Sequence, residues 1–390
     1  MAAIDPAQSF FSVAAATDGA PRELAGELAR RLKPSGPSAV LFFAHPRHDF
    51  AALAAQMQAH FPEALTVGCT TMGEIGPAGF TRGSVVALGL GSPCRAAAVL
   101  VPSLATFRFE DGAHILDQLR EQLGLADDSI VPGRHVLITL LDGLSGMEEL
   151  LVAAIGTSLP AVPLVGGSAA DDLRLSRTEV AVDGRACAGG AVVLLLEPSV
   201  PFHPFQIHHY EPTPQRVVVT RADARRRLVM RLNGRPAARV LAELVGAPLE
   251  QLRAEGASGI ARYGLQFGFH AGSEYYLRGV MTIQGEDLVL AGAVEEGAIL
   301  TVMRSGDMLV STRQGIASAT AALGARPALM LLFNCGGRMF EAEVRGQVPA
   351  LFEALGDTPV VGFTTYGEQF GPMLLNLTLT GLLLGWPRER

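Results

Sequence analysis

The stretch Val67–Glu74 reads VGCTTMGE, and the chain nearly repeats it as VGFTTYGE at Val361–Glu368. A weaker copy, VGGSAAD, lies between them at Val165–Asp171. Glycine lets a backbone turn sharply or approach another surface closely, so the three stretches are predicted to be turns at strand ends. A turn that returns three times in matching surroundings indicates a duplicated architecture.

The same kind of segment precedes each turn. An apolar run, at Ala39–Ala44, Val136–Leu141 and Leu329–Phe333, leads into an amphipathic helix and then into a second apolar run that opens into the turn. This order predicts repeated β-loop-α-β units. We therefore predict an α/β fold of two domains, with added antiparallel strands and mixed sheets flanked by helices. Loops at strand ends are where such proteins usually bind ligands.

The composition is that of a compact folded protein. The sequence is 49% hydrophobic and 18% charged. At 390 residues the chain is too long for one hydrophobic core, which indicates two domains. The net charge is −7 and the arginines are scattered, so nucleic acid is not expected as a partner. Lys33 is the only lysine, which excludes a P-loop and a Schiff-base lysine near the repeats.

The cysteines and the apolar segments favour a reduced, cytoplasmic location. Cys69, Cys94, Cys187 and Cys335 form no C-x-x-C pair, and no secretory leader precedes them, so zinc ribbons and disulfide scaffolds are not expected. Residues 150–170 carry no charge, but their prolines and glycines predict buried helix and strand rather than a membrane span.

The predicted organisation is a lead-in over residues 1–37, an N-terminal domain over 38–215 and a C-terminal domain over 216–390. Four prolines between residues 201 and 214 crowd the boundary. Helices are predicted at 21–32, 49–61, 112–123, 147–159, from about 222, at 236–245 and at 308–323, and a two-stranded hairpin at 178–196.

Further short motifs extend the pattern over nearly the whole chain in a fixed order. Besides the three turns they are Val217–Ala237, Arg278, Gly297, Cys335 with Arg338, and Asn376. On this ordered set the chain resembles the FIST family of bacterial sensory proteins. The resemblance implies tandem N-terminal and C-terminal FIST halves that bind a small ligand.

The resemblance also carries expectations about partners and cofactors. It implies signalling to a separate histidine kinase, diguanylate cyclase or chemoreceptor, because no kinase or cyclase segment is visible in the sequence. One branch of the family is similar to haem-based nitric oxide sensors, and residues 205–220 look like that branch. A homodimer is the expected assembly, given apolar strand edges and a sensory use.

Two adjacent histidines are the candidate haem ligands. His208 and His209 could supply a neutral imidazole to iron, with Phe205 and Tyr210 covering the porphyrin and Arg338 pairing with a propionate or another carboxylate. If they lie on a strand, they point to opposite faces, so at most one enters a pocket. From the residues alone, a polar strand edge is the alternative.

The repeated turns supply the other candidate ligand contacts. The predicted ligand-binding residues are Cys69, Thr70, Thr71, Glu74, Asn334, Cys335, Thr364, Thr365, Tyr366 and Glu368. In the alternative interpretation Glu74 and Glu368 accept hydrogen bonds that hold their turns, Cys335 is a packing residue, and Arg338 is bound within the protein to Glu341, Glu368 or carbonyl groups.

Three functions follow from these residues. The first is a small-ligand sensor that carries haem and is not an enzyme. The second is an amino-acid or metabolite sensor without haem. The third is a hydrolase that uses Ser168, although the sequence after it departs from the G-x-S-x-G nucleophile elbow at Ala170.

Overall fold

A computed structural model describes residues 10–92, 94–126, 129–272 and 274–387 of the chain. Residues 1–9 of the predicted lead-in lie outside the described residues. Within the described ranges, every helix is too short or too polar to span a bilayer.

The first two repeats have the same element order: strand, helix, strand, helix, strand, hairpin, strand. The first consists of β1 (Phe11–Ala16), α1 (Pro21–Leu32), β2 (Pro37–Ala44), α2 (Phe50–His60), β3 (Leu65–Thr70), β4 (Glu74–Gly76), β5 (Gly79–Thr81) and β6 (Val85–Gly91). The second consists of β7 (Arg95–Val101), α3 (Asp111–Leu123), β8 (Val136–Asp142), α4 (Glu148–Ser158), β9 (Leu164–Ala169), β10 (Glu179–Val182), β11 (Arg185–Ala188) and β12 (Ala191–Glu197).

The third repeat follows the same plan but is interrupted after its first strand, β13 (Phe202–Ile207). The insertion comprises β14 (Tyr210–Asp223), β15 (Leu228–Leu232), β16 (Arg235–Pro236), α5 (Ala237–Val245), α6 (Leu249–Tyr263), β17 (Leu265–Ala271), β18 (Glu274–Arg278), β19 (Val280–Gln284), β20 (Asp287–Leu290) and β21 (Ile299–Ser305). The repeat then resumes with α7 (Met308–Leu323), β22 (Pro327–Cys335), α8 (Gly336–Val344), α9 (Val348–Glu353), β23 (Val360–Thr365), β24 (Glu368–Phe370), β25 (Met373–Leu375) and β26 (Leu379–Gly385).

Each repeat builds a six-stranded sheet around one parallel pair, β2–β3, β8–β9 or β22–β23. The hairpin at the end of each sheet comes from a different repeat. The strand orders are β1-β6-β2-β3-β10-β11, β7-β12-β8-β9-β24-β25 and β13-β26-β22-β23-β4-β5. The three sheets are therefore interlocked in a cycle, and apolar side chains from all three form one central core.

Hydrogen bonds between main-chain atoms join the three turns in the same cyclic order. The amide of Met72 donates to the carbonyl of Thr364 (3.0 Å), that of Ala170 to the carbonyl of Thr70 (3.0 Å) and that of Tyr366 to the carbonyl of Ser168 (3.2 Å). The three donors occupy one position of the repeat, and the three acceptors occupy another. In each repeated stretch a glycine follows the first valine. A Cβ on this glycine would collide with a carbonyl oxygen of the adjacent strand, so only glycine allows the two strands to lie this close. The three turns meet at the centre of the molecule.

The insertion forms a fourth sheet, in the order β18-β17-β21-β14-β15-β20-β19 with β16 beside β15. Two acidic residues at the start of α4 anchor it to the second repeat. Glu148 pairs with Arg227 at 2.7 Å, and Glu149 pairs with Arg278 at 3.2 Å. The guanidinium of Arg278 also lies over the ring of Phe269, 4.7 Å from its centre. The insertion is thereby held over one end of the central turns.

The predicted fold class is confirmed, while some predicted elements were wrong. The helix predicted from residue 222 is strand, because β14 continues to Asp223, whose carboxylate accepts the amide of Arg226 and closes a single 3₁₀ turn before β15. The second strand of the 178–196 hairpin is two strands, which break at Gly189 and Gly190.

Candidate functional site

A pocket lies where the three turns face the insertion. The first turn contributes Met72, the loop after the second contributes Leu173, and the third contributes Thr365 and Tyr366. The other lining residues are Tyr210, Ala261, Gln266, Gly279, Val280, Met281 and Ala291 from the insertion, and Cys335, Gly336, Gly337, Phe340, Asn376 and Leu377 from the third repeat. We call this the central pocket.

The central pocket is mostly apolar. Its volume is ≈ 630 Å³, including the part that is open to solvent. Leu173 and Met281 lie at its mouth, and both are 39% exposed. The start of α8 forms one wall of the pocket, where Gly336 and Gly337 have no side chain. A Cβ on Gly337 would lie 2.6 Å from the side chain of Leu377. Such a shape suits a small, partly apolar molecule.

One polar group of the central pocket lacks a partner among the described residues. The side chain of Asn376 is 1% exposed, and its Nδ2 donates to the carbonyl of Leu375 at 2.8 Å. Its Oδ1 has no hydrogen-bond partner in the part of the chain that the structure describes. A buried amide oxygen without a donor is unfavourable by about 1–3 kcal/mol, so this oxygen is suited to a donor on a ligand.

Tyr366 ties the pocket to the loop at its mouth. Its hydroxyl donates to Asp171 (2.5 Å) and accepts the amide of Leu173 (2.7 Å). Burial alone would raise the pKa of Asp171, but hydrogen bonds from Tyr366 and from three loop amides lower it. In the same loop Asp172, Leu173 and Leu175 have left-handed φ angles of 54°, 63° and 50°, a conformation unfavourable for residues with a Cβ. The bonds to Tyr366 and Asp171 hold this loop in place.

A buried polar network lies behind Tyr210. Glu341 accepts hydrogen bonds from the hydroxyl of Tyr210 (2.8 Å) and from Nε2 of His209 (3.0 Å), and it pairs with Arg345 at 2.8 Å. Burial alone would raise the pKa of Glu341, but hydrogen bonds from His209, Ser305 and Tyr210 lower it to about 2. Arg338 donates to Nδ1 of His209 at 3.3 Å, so that nitrogen is an acceptor and the ring is neutral.

Glu74 and Glu368 hold the first and third turns. Glu368 accepts from the hydroxyl of Thr365 at 2.5 Å and from the amide and hydroxyl of Thr378 at 3.2 and 2.7 Å. Glu74 is bound in the same way by Thr71 and by Ser84. Burial raises the pKa of each carboxyl to about 7. Neither carboxylate lines the central pocket, and both arrangements agree with the structural alternative for these residues.

The structure brings four of the candidate residues to the central pocket: Tyr210, Cys335, Thr365 and Tyr366. The others lie elsewhere. Cys69 is in the core, Thr70 accepts the amide of Glu179, Thr71 binds Glu74, Asn334 is buried in β22, and Thr364 lines a neighbouring hollow. Ligand binding by any of them stays a prediction. Sequence reasoning missed Met72 as a pocket residue, although it is aligned with Tyr366 in the repeat.

The residues predicted to hold haem do not fit a haem in this arrangement. Both ring nitrogens of His209 are engaged within the protein, and Arg338 is fully buried. Nδ1 of His208 has no partner among the described residues, but His208 does not line the central pocket. Phe205 packs in the core against Gly381. In the described ranges no three His, Cys, Asp or Glu side chains cluster as metal ligands would.

Ser168 is poorly placed for hydrolysis. Its side chain is fully buried, its hydroxyl accepts from Nε2 of Gln369 at 3.0 Å, and it lies outside the central pocket. A nucleophilic serine needs a neighbouring base and access to substrate.

Two family models match nearly the whole chain. The FIST N domain matches residues 38–235, and the FIST C domain matches residues 237–371. The chain belongs to the FIST family. FIST domains are small-ligand sensing domains, so a ligand pocket is expected in a FIST protein. The interlocked sheets show how the two FIST segments contribute jointly to it.

Other comparisons add little. A search of curated proteins gave no match. Among solved structures, the FIST chain is similar to a cyanuric acid hydrolase from A. caulinodans, at 10% sequence identity and a TM-score of 0.39, over 96% of this chain and 99% of the other. At that TM-score the likeness has no bearing on function.

Proposed function

We propose that this FIST protein is a sensor that binds a small, partly apolar carboxylate carrying an N–H donor, such as a hydrophobic amino acid, in the central pocket. The buried, unpartnered Oδ1 of Asn376 is the observation that carries the proposal. An ammonium group satisfies that oxygen, and a bond to a charged donor is worth about 1.5–3 kcal/mol.

The pocket lining also contains a site suited to an anionic group. Gly336 and Gly337 begin α8, and the amino end of a helix favours an anionic group. Elsewhere in the pocket lining, Leu173, Val280 and Phe340 provide apolar contact. A zwitterion with an apolar side chain therefore matches the distribution of polar and apolar groups.

Binding without chemistry is the better account of this pocket. The hydroxyls of Tyr210 and Tyr366 are committed to Glu341 and Asp171, and burial raises the pKa of the Cys335 thiol far above neutral pH. None of these groups is poised as a base or nucleophile. The ligand would contact both the turns and the insertion, so a shift of one relative to the other would change its affinity.

The test compares two asparagines of matched burial. Asn376 and Asn334 are both 1% exposed with an unpartnered Oδ1 among the described residues, but only Asn376 lines the pocket. Thermal shift and calorimetry with hydrophobic amino acids should show binding to the wild type and to Asn334→Leu, and at least about a ten-fold loss in Asn376→Leu. Equal affinity in both variants, or no binding of any amino acid by the wild type, would overturn the proposal.

The partner signalling protein, such as a histidine kinase or diguanylate cyclase, stays a prediction. So do the homodimer, the cytoplasmic location and the lack of enzymatic activity.

A further inference from the structure

A second hollow lies beside the central pocket, on an adjacent face of α8. It is lined by Met72, Gly73, Phe80, Thr81, Arg82, Met339, Glu343, Val348 and Thr364, with ≈ 380 Å³ between its atoms. Helix α8 contributes Gly337 and Phe340 to the central pocket, and Met339 and Glu343 to the second hollow. The two spaces are thus neighbours around the start of α8.

Met72 is the residue that lines both spaces. Its side chain is 1% exposed, and its amide is fixed to the carbonyl of Thr364 at 3.0 Å. The sulfur lies against the start of α8, 2.7 Å from where a Cβ on Gly336 would stand. The absence of a side chain at Gly336 therefore makes the room that Met72 occupies between the two spaces.

We infer that Met72 is a specificity-determining partition that limits the length of the ligand. This inference rests on the proposed function. A methionine is unbranched and flexible, so truncating it removes a long reach of side chain while its backbone stays held by Thr364. Removal of the partition joins the second hollow to the central pocket and lets the apolar part of a ligand extend into it.

The second hollow is lined partly by apolar side chains, beside the polar Thr81 and Thr364. Phe80, Met339 and Val348 are apolar, and the Arg82–Glu343 ion pair, 2.8 Å apart, stands at its exposed rim. Each additional ligand methylene that becomes buried strengthens binding roughly four-fold. Two additional methylenes strengthen it about 15-fold on the same scale.

The experiment measures affinity along a homologous series of unbranched amino acids: aminobutyrate, norvaline, norleucine, aminoheptanoate and aminooctanoate. In the wild type, affinity should rise and then fall once the central pocket is full. In Met72→Ala it should keep rising, with aminooctanoate binding about 15-fold more tightly than norleucine. Met72→Val shortens the same side chain with a smaller loss of packing, and should shift the preference in the same direction.

Met339 serves as a matched control. It lines only the second hollow, so Met339→Ala should keep the wild-type length limit. Unchanged length preference in both Met72 variants, or the same extension in Met339→Ala, would overturn the inference and leave the proposed function standing. A wild type that binds no homologue would overturn the proposed ligand class and this inference with it.

Discussion

Replacing Glu74 or Glu368 by glutamine should remove a pH-dependent loss of stability. Both carboxyls are fully buried, and burial raises the pKa of each from 4.5 to about 7. Glutamine matches the protonated acid. Its amide oxygen accepts hydrogen bonds from Ser84 or Thr378, and its amide NH₂ donates to the hydroxyl of the turn threonine, Thr71 or Thr365. The repeat thus provides two equivalent sites for one measurement.

The magnitude follows from the difference between the folded and unfolded pKa values. Because the folded pKa is the higher one, the folded protein holds a proton that the unfolded chain has already released between pH 4.5 and about 7. The stabilisation is complete below pH 4.5 and is lost as the pH rises through about 7. Between about pH 5 and about pH 8 the loss is about 2–3 kcal/mol for each carboxyl.

The assay is urea unfolding of the wild type, each single variant and the double variant at both pH values. The free energy of unfolding of each single variant, relative to the wild type, should increase by about 2–3 kcal/mol from the lower to the higher pH, and that of the double variant by about 5 kcal/mol. Glu110→Gln removes an exposed carboxylate and serves as the control, with no comparable trend. A pH-independent difference in both single variants would refute the reasoning.

Two other variants test the pocket mouth and the buried network. Tyr366→Phe removes the hydroxyl that binds Asp171 and Leu173. It should lower the free energy of unfolding by about 2 kcal/mol and speed amide hydrogen exchange in residues 171–177. Unchanged exchange in these residues would contradict this role. His209→Ala should lower the free energy of unfolding by about 3 kcal/mol, because Glu341 loses a buried donor. Haem titration should give the same absorption spectrum in this variant, in His208→Ala and in the wild type. A Soret band lost in either variant would restore the haem hypothesis.

The parts of the fold that local patterns encode were predictable. The helices at Pro21–Leu32 and Met308–Leu323 have their predicted bounds, because helical spacing of apolar residues and capping signals define them. The sequence did not predict which sheet each hairpin joins. Strands of three residues such as β4 and β24 carry too little pattern, and their partners lie in other repeats.

The same distinction applies to the candidate site. Thr365 and Tyr366 were found because the repeated turn marks a strand end, where ligands commonly bind. Asn376 was visible only as one member of the family pattern, since nothing local shows that its oxygen is buried without a donor. The role of Glu74 stayed open because a carboxylate in a glycine turn can hold the turn or bind a ligand, and only contacts such as those to Ser84 bear on this choice.

The cyclic placement of the hairpins has a consequence for how such a protein could have arisen. A single repeat by itself would present an unpaired hairpin and an unfilled sheet edge, which are complementary to each other but cannot meet within one copy. Three identical copies related by a threefold axis would satisfy all of these edges at once. Fusion of three copies into one chain would then let each sequence diverge, and in this protein the third repeat carries the insertion that lines the ligand pocket.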